Sequence, residues 1–68
     1  MIQIKDLKVG TLFQMEGLDT EGNSVQANAT LRSYNEACFN GMNRYVVESD
    51  GITILYDGSE VVTKVLSL

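Results

Sequence analysis

The chain of 68 residues has no proline, no histidine and a single cysteine, Cys38. One cysteine cannot form an intrachain disulfide, and the common zinc sites built from cysteine and histidine are excluded. Histidine is also the side chain that most often performs general acid–base catalysis. The six glycines form no glycine-rich phosphate loop ahead of a helix. We therefore expect no metal site, no cofactor and no enzymatic activity, and we expect Cys38 to be a small buried hydrophobic residue.

Long apolar runs and an excess of positive charge are also lacking. No stretch approaches the roughly 20 apolar residues of a membrane span, and Lys5 and Asp6 interrupt the chain where a secretory signal would continue. A lone thiol without such a signal indicates the cytoplasm. Nine acidic and five basic residues give a net charge of −4. This charge weighs against duplex nucleic acid as the main partner and suits a basic protein surface, or it simply keeps the chain in solution.

What the sequence does contain is a series of short β-type segments separated by glycine, asparagine and aspartate turns. The clearest case is residues 45–56, where two runs of β-branched and aromatic residues flank Asp50 and Gly51. An Asp-Gly pair in that setting is typical of a tight hairpin. Alternation in the predicted strands places these side chains on the inward face: Phe13, Met15, Val25, Ala27, Ala29, Leu31, Tyr45, Val47, Ile52, Ile54 and Tyr56.

The length and the turn spacing together predict one all-β domain over residues 1–68. Turn signals at intervals of 8–12 residues are typical of a sandwich or a small barrel, and the short chain favours a five- to six-stranded, mostly antiparallel barrel. Such a small domain buries only about 60% of the surface of its unfolded chain, so its stability is marginal. With neither disulfide nor zinc, oligomerisation is the remaining means of stabilisation.

Two stretches resemble a known group of proteins. Leu7, Val9, Gly10 and Phe13 form a Leu-x-Val-Gly-x-x-Phe box, which is similar to the opening of small SH3-like barrel proteins of phages and bacteria. Residues 56–62 are similar to the aspartate-containing closing turn and valine-rich last strand of the same proteins. The resemblance implies an SH3-like barrel rather than a particular activity, since one fold hosts many functions. By analogy it also suggests a phage-encoded accessory protein.

The first candidate binding surface is the irregular segment after residue 32. Tyrosine and arginine are frequent at binding hot spots, and loops on a rigid scaffold often carry function. In the alternative interpretation Phe39 and Met42 only cap one end of the barrel. The predicted binding residues of this segment are Tyr34, Phe39, Asn40, Asn43 and Arg44.

Two further surfaces are candidates. The outward row Gln26, Asn28, Thr30 and Arg32 offers hydrogen-bonding groups, with Arg32 as its predicted binding residue, or is simply a solvated strand face. Residues 61–68 carry more apolar side chains than one core face can take. We expect an oligomer interface there, unless those side chains fold under Ile2 and Ile4 within one monomer. The predicted interface residues are Val62, Leu66 and Leu68.

These patterns predict a non-enzymatic protein-binding module. In combination with the resemblance, they suggest a phage-encoded accessory, inhibitor or adaptor protein that acts on a host protein, self-associates, and resides in the cytoplasm of the producing or infected bacterial cell. The alternative is a small-ligand or nucleotide binder. In that case Tyr34, Phe39 and Arg44 would stack on and clamp an anionic ring compound.

Overall fold

The computed structural model of the chain describes residues 1–35 and 45–67. One 3₁₀-helix, Ile4–Asp6, follows the first strand, and no α-helix occurs in these two ranges. The prediction of an all-β fold is therefore confirmed. The strands are β1 (Ile2–Gln3), β2 (Leu12–Leu18), β3 (Ser24–Tyr34), β4 (Tyr45–Ser49), β5 (Ile52–Tyr56), β6 (Val61–Val62) and β7 (Lys64–Ser67).

The strands form two antiparallel sheets. The larger has the order β5-β4-β3-β2-β7, and the smaller pairs β1 with β6. Strands β5 and β7 are the two edges of the larger sheet and do not pair with each other, so the described strands do not close a barrel. The reason lies in the last segment of the chain, which divides its pairing between β1 and β2 instead of joining β5.

The hairpin turn at Asp50 and Gly51 lies where the sequence predicted it. Asp50 and Gly51 both have positive φ, at 52° and 77°, as a two-residue type I′ hairpin turn requires. Ser49 and Ile52 flank this turn as partners. Gly10, with φ of 97°, precedes β2 in a conformation that suits glycine better than other residues.

The hydrophobic core lies on one face of the larger sheet. Phe13 is fully buried and has Ala29 as its partner across the ladder, while Met15 has Ala27. The prediction that Phe13 faces inward is thus confirmed, and small residues on β3 provide the space for it. The buried hydrophobic residues are Ile4, Phe13, Met15, Ala29, Leu31, Val47 and Val62.

The 3₁₀-helix closes one end of this core. It buries Ile4 completely, and the Ile4 N–H donates to the Glu60 carbonyl at 3.0 Å. The Lys5 N–H donates to the Gly58 carbonyl, also at 3.0 Å. Through these two bonds the turn after β5 holds the N-terminal segment against the sheet.

The predicted oligomer interface is wrong for Val62. Its side chain is 3% exposed, and Val62 lies opposite Ile2 in the β1–β6 pair. The chain bends at Thr63, whose N–H donates to the Gln14 carbonyl at 2.8 Å, so β6 and β7 belong to different sheets. Of the other two predicted residues, Leu66 is 37% exposed, and Leu68 lies outside the described residues.

Candidate binding groove

An apolar groove of about 460 Å³ lies on the inward face of the larger sheet, beside the core. Its floor consists of small residues: Gly17 on β2, and Ala27 and Ala29 on β3. A Cβ atom added at Gly17 would lie 3.7 Å from the Ala27 Cβ, an ordinary contact distance, so there is room at this point of the floor. The groove exists because the inward face is not filled here.

One wall of the groove is β5. Ile54 lies opposite Val47 and Ile52 lies opposite Ser49, so both isoleucines share the inward face with the core residue Val47. Ile54 is nevertheless 41% exposed and Ile52 is 62% exposed. The sequence predicted the correct face for these two residues, but a position on the inward face does not bury them here. No described strand or loop covers them.

Val25 also lies on the predicted inward face without being buried. It lies at the far end of β3, opposite Gly17, and is exposed although it shares the inward face with Ala27 and Ala29. Its distance from the core and the lack of a side chain on Gly17 leave it uncovered.

The tip of the β2–β3 hairpin supplies the opposite wall, at Leu18, Asp19 and Thr20. The Asp19 carboxylate accepts hydrogen bonds at Oδ1 from the N–H groups of Glu21, at 2.9 Å, and Asn23, at 2.8 Å. The bond from Asn23 is the main cause that lowers the pKa of the Asp19 carboxyl below its ordinary value, because it stabilises the ionised form. The tip is therefore braced and carries a negative charge.

The charged side chains at the groove are all of one sign. Asp19 and Asp50 are among its lining residues, and no lysine or arginine is among the described residues that line it. Tyr56 adds a phenol at the β5 wall. Burial raises the pKa of the Tyr56 hydroxyl, and the negative charge of Glu60 raises it further. The groove is thus apolar inside, with carboxylates at its rim.

The backbone of β5 forms an edge. Among the described strands its only neighbour is β4. Because Ser49 and Ile52 flank a two-residue turn, Ile52, Ile54 and Tyr56 direct their N–H and C=O groups toward β4. The same groups of Thr53 and Leu55 then point away from the sheet. The strand contains no charged residue and no proline, the usual protections of an exposed edge, whereas the β7 edge contains Lys64.

The first surface predicted from the sequence is only partly described. Phe39, Asn40, Asn43 and Arg44 lie outside the described residues. Tyr34 was expected in an irregular segment, but it belongs to β3, where it pairs with Tyr45. The two rings stack at 5.7 Å between centroids.

The outward row on β3 is occupied by cross-strand contacts. Arg32, at a register shift opposite β4, donates from Nε to Glu48 Oε1 at 2.8 Å. Asn28 accepts at Oδ1 from Gln14 Nε2 at 3.0 Å. Both contacts are exposed and satisfy groups that were predicted to serve a partner. They favour the interpretation of this row as a solvated strand face.

The groove was missed because no local pattern marks it. Ile52 and Ile54 alternate as core residues do, and Gly17, Ala27 and Ala29 occur in separate segments of the sequence. A usable signal was the summed size of the inward side chains. Three small residues on the two strands facing the core leave more space than the core residues fill.

The described residues contain no group of three or more histidine, cysteine, aspartate or glutamate side chains placed to hold a metal ion. Within residues 1–35 and 45–67 there is also no helix of the length and apolar character needed to cross a membrane. No protein-family model matches the chain, no curated protein matches it, and no solved structure matches it.

Proposed function

We propose that this chain is a non-enzymatic protein-binding module that takes up an extended segment of its partner at β5. The bound segment adds a strand to the larger sheet and places alternate side chains over the groove. The observation that carries the proposal is the combination on one strand of an uncharged edge with two half-exposed isoleucines, Ile52 and Ile54, that border an apolar groove. Strand addition to an exposed edge is a common mode of peptide recognition.

The energetics of such a complex follow from the two contributions that β5 offers. Thr53 and Leu55 present four backbone groups, each worth roughly 0.5–1.5 kcal/mol when a hydrogen bond to water is exchanged for one to the partner. Covering Ile52, Ile54 and the 52% exposed Leu55 contributes hydrophobic stabilisation, at about 25 cal/mol per Å² of apolar surface. Backbone bonds supply affinity, and the groove selects which side chains fit.

The test is a selection of peptides from a random library against the folded protein, followed by NMR titration of the selected peptides. We expect the Thr53 and Leu55 amide resonances to shift. Thr53→Pro removes an N–H that points away from β4, so it is expected to abolish binding while the sheet is retained.

A matched pair of side-chain variants locates the site. Ile54 and Leu66 are similarly exposed leucine-sized residues on the two opposite edge strands. We expect Ile54→Asp to abolish binding of the selected peptides and Leu66→Asp to leave it unchanged. The reverse result would place the binding surface at β7, and selected peptides that shift no β5 resonance would refute the proposal.

A small apolar ligand is the second candidate for the groove. Its volume of about 460 Å³ lies within the range of ligand sites, roughly 300–1,000 Å³, and its floor is apolar. The carboxylates Asp19 and Asp50 disfavour the anionic ring compound of the sequence-based alternative. A small ligand does not need the backbone of β5, so Thr53→Pro would leave its binding intact, whereas strand addition would be lost.

The finer features of the sequence-based interpretation stay predictions. These are the SH3-like architecture, the phage origin, the host protein as partner and the cytoplasm as the site of action. Self-association through the last strand also stays a prediction, and of its three proposed residues Leu66 alone is both described and partly exposed.

A further inference from the structure

We infer that the segment bound at β5 runs antiparallel to it and has the pattern apolar-x-apolar-x-basic, with the basic residue beside Asp50. This inference rests on the proposed function and specifies its partner. The partner is thus a protein with an extended apolar segment that ends in lysine or arginine. Three observations on the described residues support it: the hydrogen-bond register of β5, the sheet topology and the charges of the groove.

The register determines which partner side chains reach the groove. Thr53 and Leu55 direct their N–H and C=O groups outward, so they form the hydrogen-bonded pairs with an added antiparallel strand. The partner residue opposite Ile54 then occupies a non-hydrogen-bonded pair, where side chains approach most closely. It shares the inward face with Ile54, and so does the residue opposite Ile52. These two positions are the apolar ones.

The direction of the bound segment follows from the strand directions in the sheets. Every strand pair in the described residues is antiparallel. Antiparallel pairing is also slightly more stable per residue than parallel pairing. In this direction the chain of the partner passes first Ile54, then Ile52, and then the turn at Asp50.

The charges at the groove determine which type of residue occupies the last position of the pattern. Two residues beyond the position opposite Ile52, about 7 Å farther along an extended chain, a side chain on the same face lies beside Asp50, which lines the groove together with Asp19. Both carboxylates line the groove, and no described lysine or arginine there neutralises them. At the opposite end of β5, Asp57 is half-buried and already engaged, and Glu60 is not among the lining residues.

The same charges disfavour a second copy of this chain as the occupant. Each copy has a net charge of −4. In a symmetric antiparallel pairing centred on Ile54, Asp50 of one copy would lie close to Asp57 of the other, since these residues flank β5 at its two ends. A basic segment meets these carboxylates with opposite charge, and a second copy meets them with like charge.

The test uses three blocked peptides with one apolar core: Val-Thr-Val-Thr-Lys, its charge-reversed form Val-Thr-Val-Thr-Glu, and the mirrored form Lys-Thr-Val-Thr-Val. Each is titrated by NMR against the wild type and against Asp50→Asn. Asparagine tolerates the positive φ of Asp50 well, so this variant removes the charge and keeps the turn.

We expect the first peptide to bind the wild type about two- to fivefold more tightly than the charge-reversed one, the range of an exposed ion pair. The mirrored peptide should not bind more tightly than the charge-reversed one. The advantage should shrink as salt is added, since salt screens exposed charges. It should also be clearly smaller in Asp50→Asn, in which Asp19 is the remaining carboxylate that lines the groove.

Equal binding of the first two peptides would overturn the inference while the proposed function stands. An undiminished advantage in Asp50→Asn, or an equal advantage of the mirrored peptide, would also overturn it. A β5 spectrum that changes on dilution of the protein alone would identify a second copy as the occupant and overturn it. If no peptide shifts the Thr53 and Leu55 amides, the inference fails, and the proposed function fails with it only if the peptides selected from the library also shift no β5 resonance.

Discussion

Val47 and Ile54 are partners across the β4–β5 ladder and share one face of the sheet, yet Val47 is 1% exposed and Ile54 is 41% exposed. Two directly paired residues on neighbouring strands are thus a core residue and a surface residue. Ile54 lies on an edge strand above the small floor residues of the groove, whereas Val47 has Leu31 as its other cross-strand partner. This step in burial defines the candidate site.

The difference in burial between Val47 and Ile54 predicts a difference in stability between two alanine variants. Val47→Ala removes buried methyl groups and leaves a cavity, so it should lower the free energy of unfolding by about 2 kcal/mol. Ile54→Ala removes a larger side chain but should cost less, roughly 1 kcal/mol, because much of that side chain already contacts water. Urea denaturation monitored by circular dichroism measures both. Equal costs would mean that Ile54 is covered in solution.

Phe13 should be the most sensitive position in the core. It is fully buried opposite the small Ala29, so Phe13→Ala leaves a large cavity and should cost about 3–5 kcal/mol. That is comparable to the whole stability of a small domain. We expect loss of the cooperative thermal transition in the variant, with exposed Leu55→Ala as the control that keeps it. An unchanged melting temperature for Phe13→Ala would refute the central role of this residue.

Gly58 should not tolerate a side chain. A Cβ there would lie 2.9 Å from Tyr45 Cε2 and 3.0 Å from Lys5 Cβ, closer than packed atoms approach. Gly58→Ala should therefore cost about 1–3 kcal/mol, since the turn after β5 must move away from the 3₁₀-helix.

Gly17→Ala is the matched control for Gly58→Ala. Its Cβ would meet nothing closer than the Ala27 Cβ at 3.7 Å. Alanine within a strand is better by roughly 0.5–1 kcal/mol than glycine, so this variant should be neutral or slightly stabilising. Chemical denaturation of the pair gives the difference. If Gly58→Ala does not lower the free energy of unfolding, the Tyr45 ring moves aside at little cost.

Ionisation of Tyr56 should lower the stability of the folded protein at alkaline pH. Its pKa in the folded protein is raised above its ordinary value of 10.0, chiefly by burial and further by Glu60. The unfolded chain therefore loses this proton first as the pH rises. The stabilisation is fully present below pH 10 and is lost as the pH rises through the folded-state pKa.

The corresponding measurement follows the free energy of unfolding across the alkaline range for the wild type and for Tyr56→Phe, which has no proton to lose. The wild type should lose more stability than the variant above pH 10. Parallel curves would place Tyr56 in an environment as well hydrated as that of the unfolded chain.

The sequence alone determined the features that depend on neighbouring residues. Asp50 and Gly51 form the hairpin turn because both adopt positive φ at low cost, and Gly10 permits the turn before β2 for the same steric reason. The alternation of Phe13 and Met15 was enough to place both in the core, since side chains of a strand point to its two faces in turn.

Only the tertiary structure decided which of the inward and surplus apolar residues are covered. Val62 is buried because β6 pairs with β1, and Ile54 is half-exposed because the larger sheet ends at β5. Arg32 is engaged because β3 pairs with β4, which places it beside Glu48 on another strand. Burial and partners depend on which strands become neighbours, and strands far apart in the chain are brought together by the packing of the whole domain rather than by any local pattern.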